Sequence, residues 1–122
     1  MKKILNVSNH VFGLDQINEL TEKGYQVVEL PAELKQKWGQ LSPDNYHEVC
    51  WEIKDFMVNN DIDATHVAGF APAVNFFVGK VSTVPDNYYA YSARDVIVEV
   101  TKEDGTVVKE AKFRHKGFYK YD

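Results

Sequence analysis

Thr65-His66-Val67-Ala68-Gly69-Phe70-Ala71-Pro72-Ala73 is the stretch whose reading decides the fold of this 122-residue chain. Thr65 to Phe70 reads as a buried central strand. Ala71-Pro72-Ala73 then opens a helix, because proline fits the first helical turn, where its missing N–H is not needed. Val74, Phe77 and Val78 lie on that helix. Working back toward the N-terminus, Ser42 is placed as an N-cap and Pro43 as the first helical residue. Tyr46, Val49, Cys50, Ile53, Phe56 and Met57 then recur at helical spacing, giving one apolar face over about three turns. Lys3 to Val7 reads as a buried strand that runs into Ser8-Asn9-His10. Leu14, Ile17 and Leu20 predict a helix, with Gly24 as its C-cap. Tyr25 to Leu30 is the second strand, and Pro31 starts a short helix through Leu34 and Trp38.

Toward the C-terminus, Tyr88 to Tyr91 predicts a fourth strand, β-rich and aromatic. Val96, Val98 and Val100 then alternate with Ile97, Glu99 and Thr101, and Asp104-Gly105 predicts a two-residue hairpin turn. A turn centred there sets Val98 opposite Ala111 and Val96 opposite Phe113, with the return strand running to Phe118. The order of elements predicts a Rossmann-like α/β fold: a mainly parallel sheet flanked by helices, with a C-terminal β-hairpin. One domain over residues 1–122 fits the length. No internal repeat, linker or low-complexity segment interrupts it.

Fourteen basic residues against 18 acidic ones leave a net charge of −4. That balance argues against a broad duplex-binding surface, which needs a positive field. It leaves room for a small nucleotide in one focused pocket. Cys50 is the one cysteine, so no intrachain disulfide forms, and its place on the buried helix face reads as a small hydrophobe. No apolar run approaches the ~20 residues of a membrane span, and no signal-peptide plan is present, so the expected location is cytoplasmic. Gly69 stands without a Gly-x-Gly-x-x-Gly or phosphate-loop context. There is no Gly-x-Ser-x-Gly elbow. His10, His47, His66 and His115 lack metal-ligand spacing, so neither a metal nor a cofactor is expected.

In open parallel sheets, ligands bind outside the carboxyl ends of the strands. Three stretches are expected there: Ser8-Asn9-His10, Gly69 to Asn75, and Ser92-Ala93-Arg94 following the fourth strand. Together they offer hydroxyls, amides, an imidazole, a helix start and a guanidinium, a set suited to phosphate. Each has an ordinary alternative. Ser8 and Asn9 form turns, His10 suits an exposed loop, Asn75 suits a local cap, and Arg94 has Asp95 as a neighbour. Lys112, Arg114, His115, Lys116 and Lys120, interleaved with Phe113, Phe118, Tyr119 and Tyr121, read either as an amphipathic edge strand or as a wall that stacks nucleotides.

With these residues in view, the chain resembles the small stand-alone ring-nuclease-like proteins of type III CRISPR systems, whose fold is related to the CRISPR-associated Rossmann (CARF) domain. The resemblance runs through Ser8-Asn9-His10, Leu30-Pro31-Ala32-Glu33-Leu34 with Trp38 and Pro43, and Val74-Asn75-Phe76. It continues through Tyr89-Ala90-Tyr91-Ser92-Ala93-Arg94, Glu103-Asp104-Gly105, Phe113-Arg114-His115 and Phe118-Tyr119-Lys120-Tyr121. Where a Gly-Asp-Phe-Gly-like turn is expected, this chain has Gly69-Phe70-Ala71-Pro72. The resemblance implies a cyclic oligoadenylate ligand, chiefly cyclic tetra-adenylate, and a homodimer. It also implies metal-independent cleavage by ribose 2′-OH attack, giving linear di-adenylate with a 2′,3′-cyclic phosphate. On that reading Arg94 meets phosphate charge, Ser92 hydrogen-bonds phosphate or ribose, and His10 serves as acid or base. Ser8, Asn9, Gly69, Phe70 and Asn75 contact and orient the ring. Two alternatives stand beside it: a sensor or sequestering protein that does not cut, and a protein-interaction domain whose C-terminal strand adds to a partner sheet.

Overall fold

A parallel strand pair needs a crossover long enough to return the chain to the same edge, and a helix is the usual way to make it. The computed structural model of the chain follows that rule three times. Its elements are β1 (Lys2–Val7), α1 (Leu14–Glu22), β2 (Tyr25–Glu29), α2 (Ala32–Gly39), α3 (Tyr46–Asn59), β3 (Ala64–Val67), α4 (Ala71–Phe76) running into a π-helical turn (Phe77–Val81), β4 (Asp86–Thr101) and β5 (Val107–Lys120). The structure describes residues 1–122, apart from the side chains of residues 94–98 and 111–112, which lie outside the described residues. The sheet order is β2-β1-β3-β4-β5. The first four strands are parallel and β5 is antiparallel to β4. This is the expected Rossmann-like α/β fold with a C-terminal antiparallel pair.

Side chains alternate across a strand, so β1 feeds two cores at once. Leu5 and Val7 join Val67 under Trp38, Val49, Cys50, Ile53 and Phe77, the face covered by α2, α3 and α4. Ile4 joins Ala64, Tyr88 and Phe118 on the other face, under Leu20 and Phe12. Burial raises the Cys50 thiol to about 11, consistent with the packing role read for it. No helix among the described residues is long and apolar enough to cross a membrane.

Four sequence expectations shift. The fourth strand and the first hairpin strand are one continuous strand, β4, so Ser92-Ala93-Arg94 lies within a strand and not in a loop after it. The hairpin loop holds three residues. Gly105 N–H donates to Lys102 O at 2.9 Å and Lys102 N–H to Thr106 O at 2.8 Å, with Gly105 at φ +85°. A three-residue loop with glycine in the left-handed region moves the register by one. The backbone therefore pairs Val98 with Glu110 and Val96 with Lys112, not with Ala111 and Phe113. The helix after Ser42 begins at Tyr46, with Asn45 at the N-cap position. Ser42 instead closes the preceding turn, its carbonyl accepting from Asn45 N–H and Tyr46 N–H, each at 3.3 Å.

The fourth shift concerns α1. Of its three apolar positions only Leu20 is buried, while Leu14 is 75 % exposed and Ile17 is 40 % exposed. Leu20 is thus the apolar anchor of the helix. Leu20→Ala is expected to cost about 2–5 kcal/mol of unfolding free energy through the cavity it leaves. Asn18→Ala, at an exposed position of the same helix, should stay within about 0.5 kcal/mol of the parent. Urea titration of both variants measures the difference, and equal effects would show that α1 is held by something other than Leu20.

Candidate functional site

Strands β1 and β3 end side by side, with Val7 paired to Val67. Ala68 N–H then donates to Val7 O at 3.1 Å, which keeps the chain in line for one more residue. Gly69 breaks away at φ +151°, a conformation that favours glycine. A Cβ there would also stand 2.8 Å from Trp38 Nε1. The Trp38 indole needs that space because its N–H donates to Ala68 O at 2.9 Å. Tyr121 closes the other side: its hydroxyl donates to Val67 O at 2.7 Å.

These constraints leave a cleft of about 480 Å³ at the carboxyl end of the sheet. His10 enters it from the loop after β1, and Gly69, Ala71 and Asn75 from the turn into α4. Tyr89, Ala90 and Ser92 enter from β4, Gln16 from α1, and Tyr121 from the C-terminus. A hollow of about 200 Å³ adjoins it through His10, Ala68 and Gly69, and is walled by Asn9, Trp38, Gly39 and Phe70. Ser92 reaches the cleft although it sits in a strand. It lies two residues on from Ala90, so strand alternation puts both on the same face of β4, and both line the cleft.

Of the residues expected from sequence, His10, Gly69, Asn75 and Ser92 therefore share one cleft, with Asn9 and Phe70 on its smaller neighbour. Ser8 is not brought to either. It is fully buried, its hydroxyl donates to Asn6 Oδ1 at 2.6 Å, and its Oγ accepts from His10 N–H at 3.2 Å. That makes it a brace for the His10 backbone. Asn9 is tied as well. In the amide orientation that satisfies both ends, it donates to Lys35 O at 3.0 Å and accepts from Gly39 N–H at 3.1 Å. The Arg94 side chain lies outside the described residues. The C-terminal basic and aromatic residues divide. Tyr121 lines the cleft, Phe118 is core, Lys120 pairs with Asp86 at 2.8 Å, and Phe113 is exposed.

His66 also lines the cleft. The ring is 2 % exposed and sits edge-on to Phe12 and Phe118, with centroids 4.9 and 5.7 Å away. Its Nδ1 lies 3.0 Å from Asn6 Oδ1. The Asn6 amide has its orientation fixed, since Nδ2 donates to His10 O at 2.9 Å and to Glu29 Oε2 at 3.2 Å. Oδ1 can only accept, so the His66 proton is on Nδ1 and Nε2 carries the lone pair. Burial, then the neighbouring His10 and His115, lower His66 to about 4, and the ring stays neutral near neutrality. A signal for this was present in the sequence: an ionisable residue inside a strand covered on both faces must be neutral or paired.

His115 lies behind Phe118, with centroids 4.9 Å apart. Its Nε2 meets Glu19 Oε1 at 2.9 Å, and Glu19 Oε2 accepts from Phe118 N–H at 2.9 Å. Burial works to raise Glu19, but hydrogen bonds from Phe118, His115 and Lys23 outweigh it and hold the carboxyl below its usual range. This pair fastens β5 to α1 and does not face the cleft. Among the described residues, no group of three or more His, Cys, Asp or Glu side chains is placed to hold a metal ion.

Residues 2–119 match the family described as "Uncharacterized protein MJ1673 family". The chain belongs to the MJ1673 family. The relative "Uncharacterized protein MJ1673" of Methanocaldococcus jannaschii is 28 % identical over 140 aligned positions, covering 100 % of this chain and 98 % of that one. The MJ1673 family match thus spans the cleft-lining segments from His10 to Ser92 and stops short of Tyr121. No solved structure matches the chain.

The neutrality of His66 has a sign that can be checked. Its value falls from 6.5 to about 4 on folding, so between those limits the unfolded chain binds a proton that the folded one does not. Stability contributed by His66 is whole above pH ~6.5 and is lost as pH falls, by about 3 kcal/mol in all. His66→Asn keeps an N–H for Asn6 Oδ1 and does not titrate. Urea unfolding near pH 7 and near pH 4 should show the parent losing about 3 kcal/mol more than the variant; equal losses would mean that His66 is not buried in its neutral form.

Proposed function

We propose that this protein is a ring nuclease of the type III CRISPR kind that binds a cyclic oligoadenylate, chiefly the tetramer, and opens it without a metal. The observation that carries this reading is the meeting of His10, Asn75 and Ser92 on one cleft at the carboxyl end of a parallel sheet. They come from three segments far apart in sequence, and this is where ligands bind in open α/β sheets. The cleft volume lies within the range of small-molecule sites, about 300–1,000 Å³. The resemblance noted in the sequence supplies the ligand class.

The chemistry needs little from the protein beyond placement. A ribose 2′-oxygen attacks the adjoining 3′-phosphorus, the bond to the leaving 5′-oxygen breaks, and a 2′,3′-cyclic phosphate remains. The 2′-hydroxyl gives up its proton and the 5′-oxygen gains one. Holding the two in line is worth up to about 7–11 kcal/mol of barrier. In this reading His10 exchanges protons, Ser92 and Asn75 hold phosphate or ribose, and Arg94, two residues along β4 from Ser92, meets the developing charge. Ser8 acts one step back, through the His10 backbone.

A two-fold dimer would present the same cleft twice to a ring with two-fold symmetry. The exposed side chains of Val11, Leu14 and Ile17 on and before α1 offer an apolar patch for the second copy. A second reading, binding without cutting, is favoured by one fact. No lysine or arginine is among the described residues lining the cleft, so its described walls hold a ligand through neutral donors and acceptors.

Incubation with labelled cyclic tetra-adenylate in EDTA, followed by thin-layer chromatography and a gel shift, separates these readings. Linear di-adenylate is the expected product, and His10→Ala should slow its formation by about 10² or more. A shift without product selects the binding protein, and neither signal would sink both. Leu14→Lys is expected to turn a dimer into a monomer in sedimentation equilibrium. A dimer unaffected by it would place the interface elsewhere.

A further inference from the structure

Resting on the cyclic oligoadenylate reading, we propose that His66 is the residue by which the cleft selects ribose: its Nε2 accepts a hydrogen bond from a 2′-hydroxyl of the bound ring. The geometry begins at Asn6. That amide is fully buried, and its two ends are committed in opposite senses. Nδ2 donates to Glu29 and to His10 O, and Oδ1 accepts from Ser8 Oγ and from His66 Nδ1. The imidazole is thereby fixed as the Nδ1–H tautomer. Nε2 has no hydrogen-bond partner among the described residues, and the ring forms part of the cleft wall.

A lone pair at that place decides what it can meet. A phosphate oxygen also brings lone pairs and would be repelled. In a cyclic 3′–5′ oligoadenylate the groups with protons to donate are the adenine N6 amine and the 2′-hydroxyl. An amine brings two protons to this one acceptor, and the ring edges of Phe12 and Phe118 beside it offer the second no lone pair. An unmet donor in a buried site is costly. A hydroxyl brings one proton, and one acceptor satisfies it. Accepting that proton also turns the hydroxyl's own lone pairs away from Nε2, which leaves them free to approach phosphorus. His66 is thus a positioning residue for the attacking group as well as a filter against deoxyribose.

The test uses binding of cyclic tetra-adenylate and of its all-2′-deoxy counterpart to the full chain, read by rapid mixing before the ribose ring is cut. The parent should prefer the ribose ring by about tenfold or more. His66→Asn keeps an N–H for Asn6 and leaves no acceptor at the place of Nε2, its own Oδ1 being set back on the shorter side chain, so it should weaken ribose-ring binding and leave deoxy-ring binding unchanged, bringing the ratio close to one. A parent that binds both rings equally, or a variant that weakens both by the same factor, overturns the proposal and leaves the ligand reading standing. A parent that binds neither ring overturns both. Nitrogen-15 NMR of the parent needs no variant: His66 should show a protonated Nδ1 and a bare Nε2, and only the ribose ring should shift the Nε2 signal. A protonated Nε2 in the free protein would overturn the assignment whatever the variant does.

Discussion

One buried amide organises the working end of this molecule. Asn6 sits in β1, the strand between β2 and β3, on the face covered by α1 and away from the larger core. Four bonds radiate from it: to Glu29 on β2, to His66 on β3, and to Ser8 and the His10 carbonyl in the loop that follows its own strand. A buried amide left unpaired would cost a large part of what a small domain has in hand. With every end met, the same group holds two neighbouring strands and the loop that carries His10 in one arrangement, and it decides which nitrogen of His66 bears the proton. The electrical character of the cleft floor is thus set by a residue that does not line the cleft.

The walls depend on glycine in a similar indirect way. At Gly69 the backbone turns from β3 into α4 in a conformation that side chains resist, and it does so against the Trp38 indole. At Gly39 a Cβ would collide with the Asn9 amide at 2.5 Å. Both positions lie on the smaller hollow beside the main cleft. Bulk at either place would push α2 away from the strand ends, so the hollow exists because two segments approach more closely than side chains allow.

Much of the frame was legible in the residues, because strand and helix periods are local signals. The apolar runs Lys3 to Val7 and Tyr25 to Leu30, and the stripe from Tyr46 to Met57, each became the element they predicted. What failed was decided by neighbours. Tyr88 to Tyr91 and Val96 to Val100 looked like separate strands because their patterns differ. They are one strand because β5 pairs with it from Tyr88 to Thr101, whereas β3 pairs with it only from Asp86 to Tyr88. The hairpin register missed by one residue, since Asp-Gly serves a two-residue turn and the end of a three-residue loop equally well. His10, Asn75 and Ser92 were legible as strand-end polar residues. His66 was legible only as an ionisable residue inside a buried strand; its tautomer and its place on the cleft depend on Asn6, sixty positions away, which no spacing rule connects to it.

The long antiparallel pair at the C-terminus has a bearing on the order in which the molecule assembles. Its two strands are joined by three residues, so they can zip on the time scale of a hairpin, about 1–10 μs. Every parallel pair must instead wait for a crossover to close, with the loop entropy that entails. The cleft needs the ends of β1, β3 and β4 together, so it is absent from any partly assembled chain, and a nascent or half-unfolded copy has nothing with which to hold a ligand.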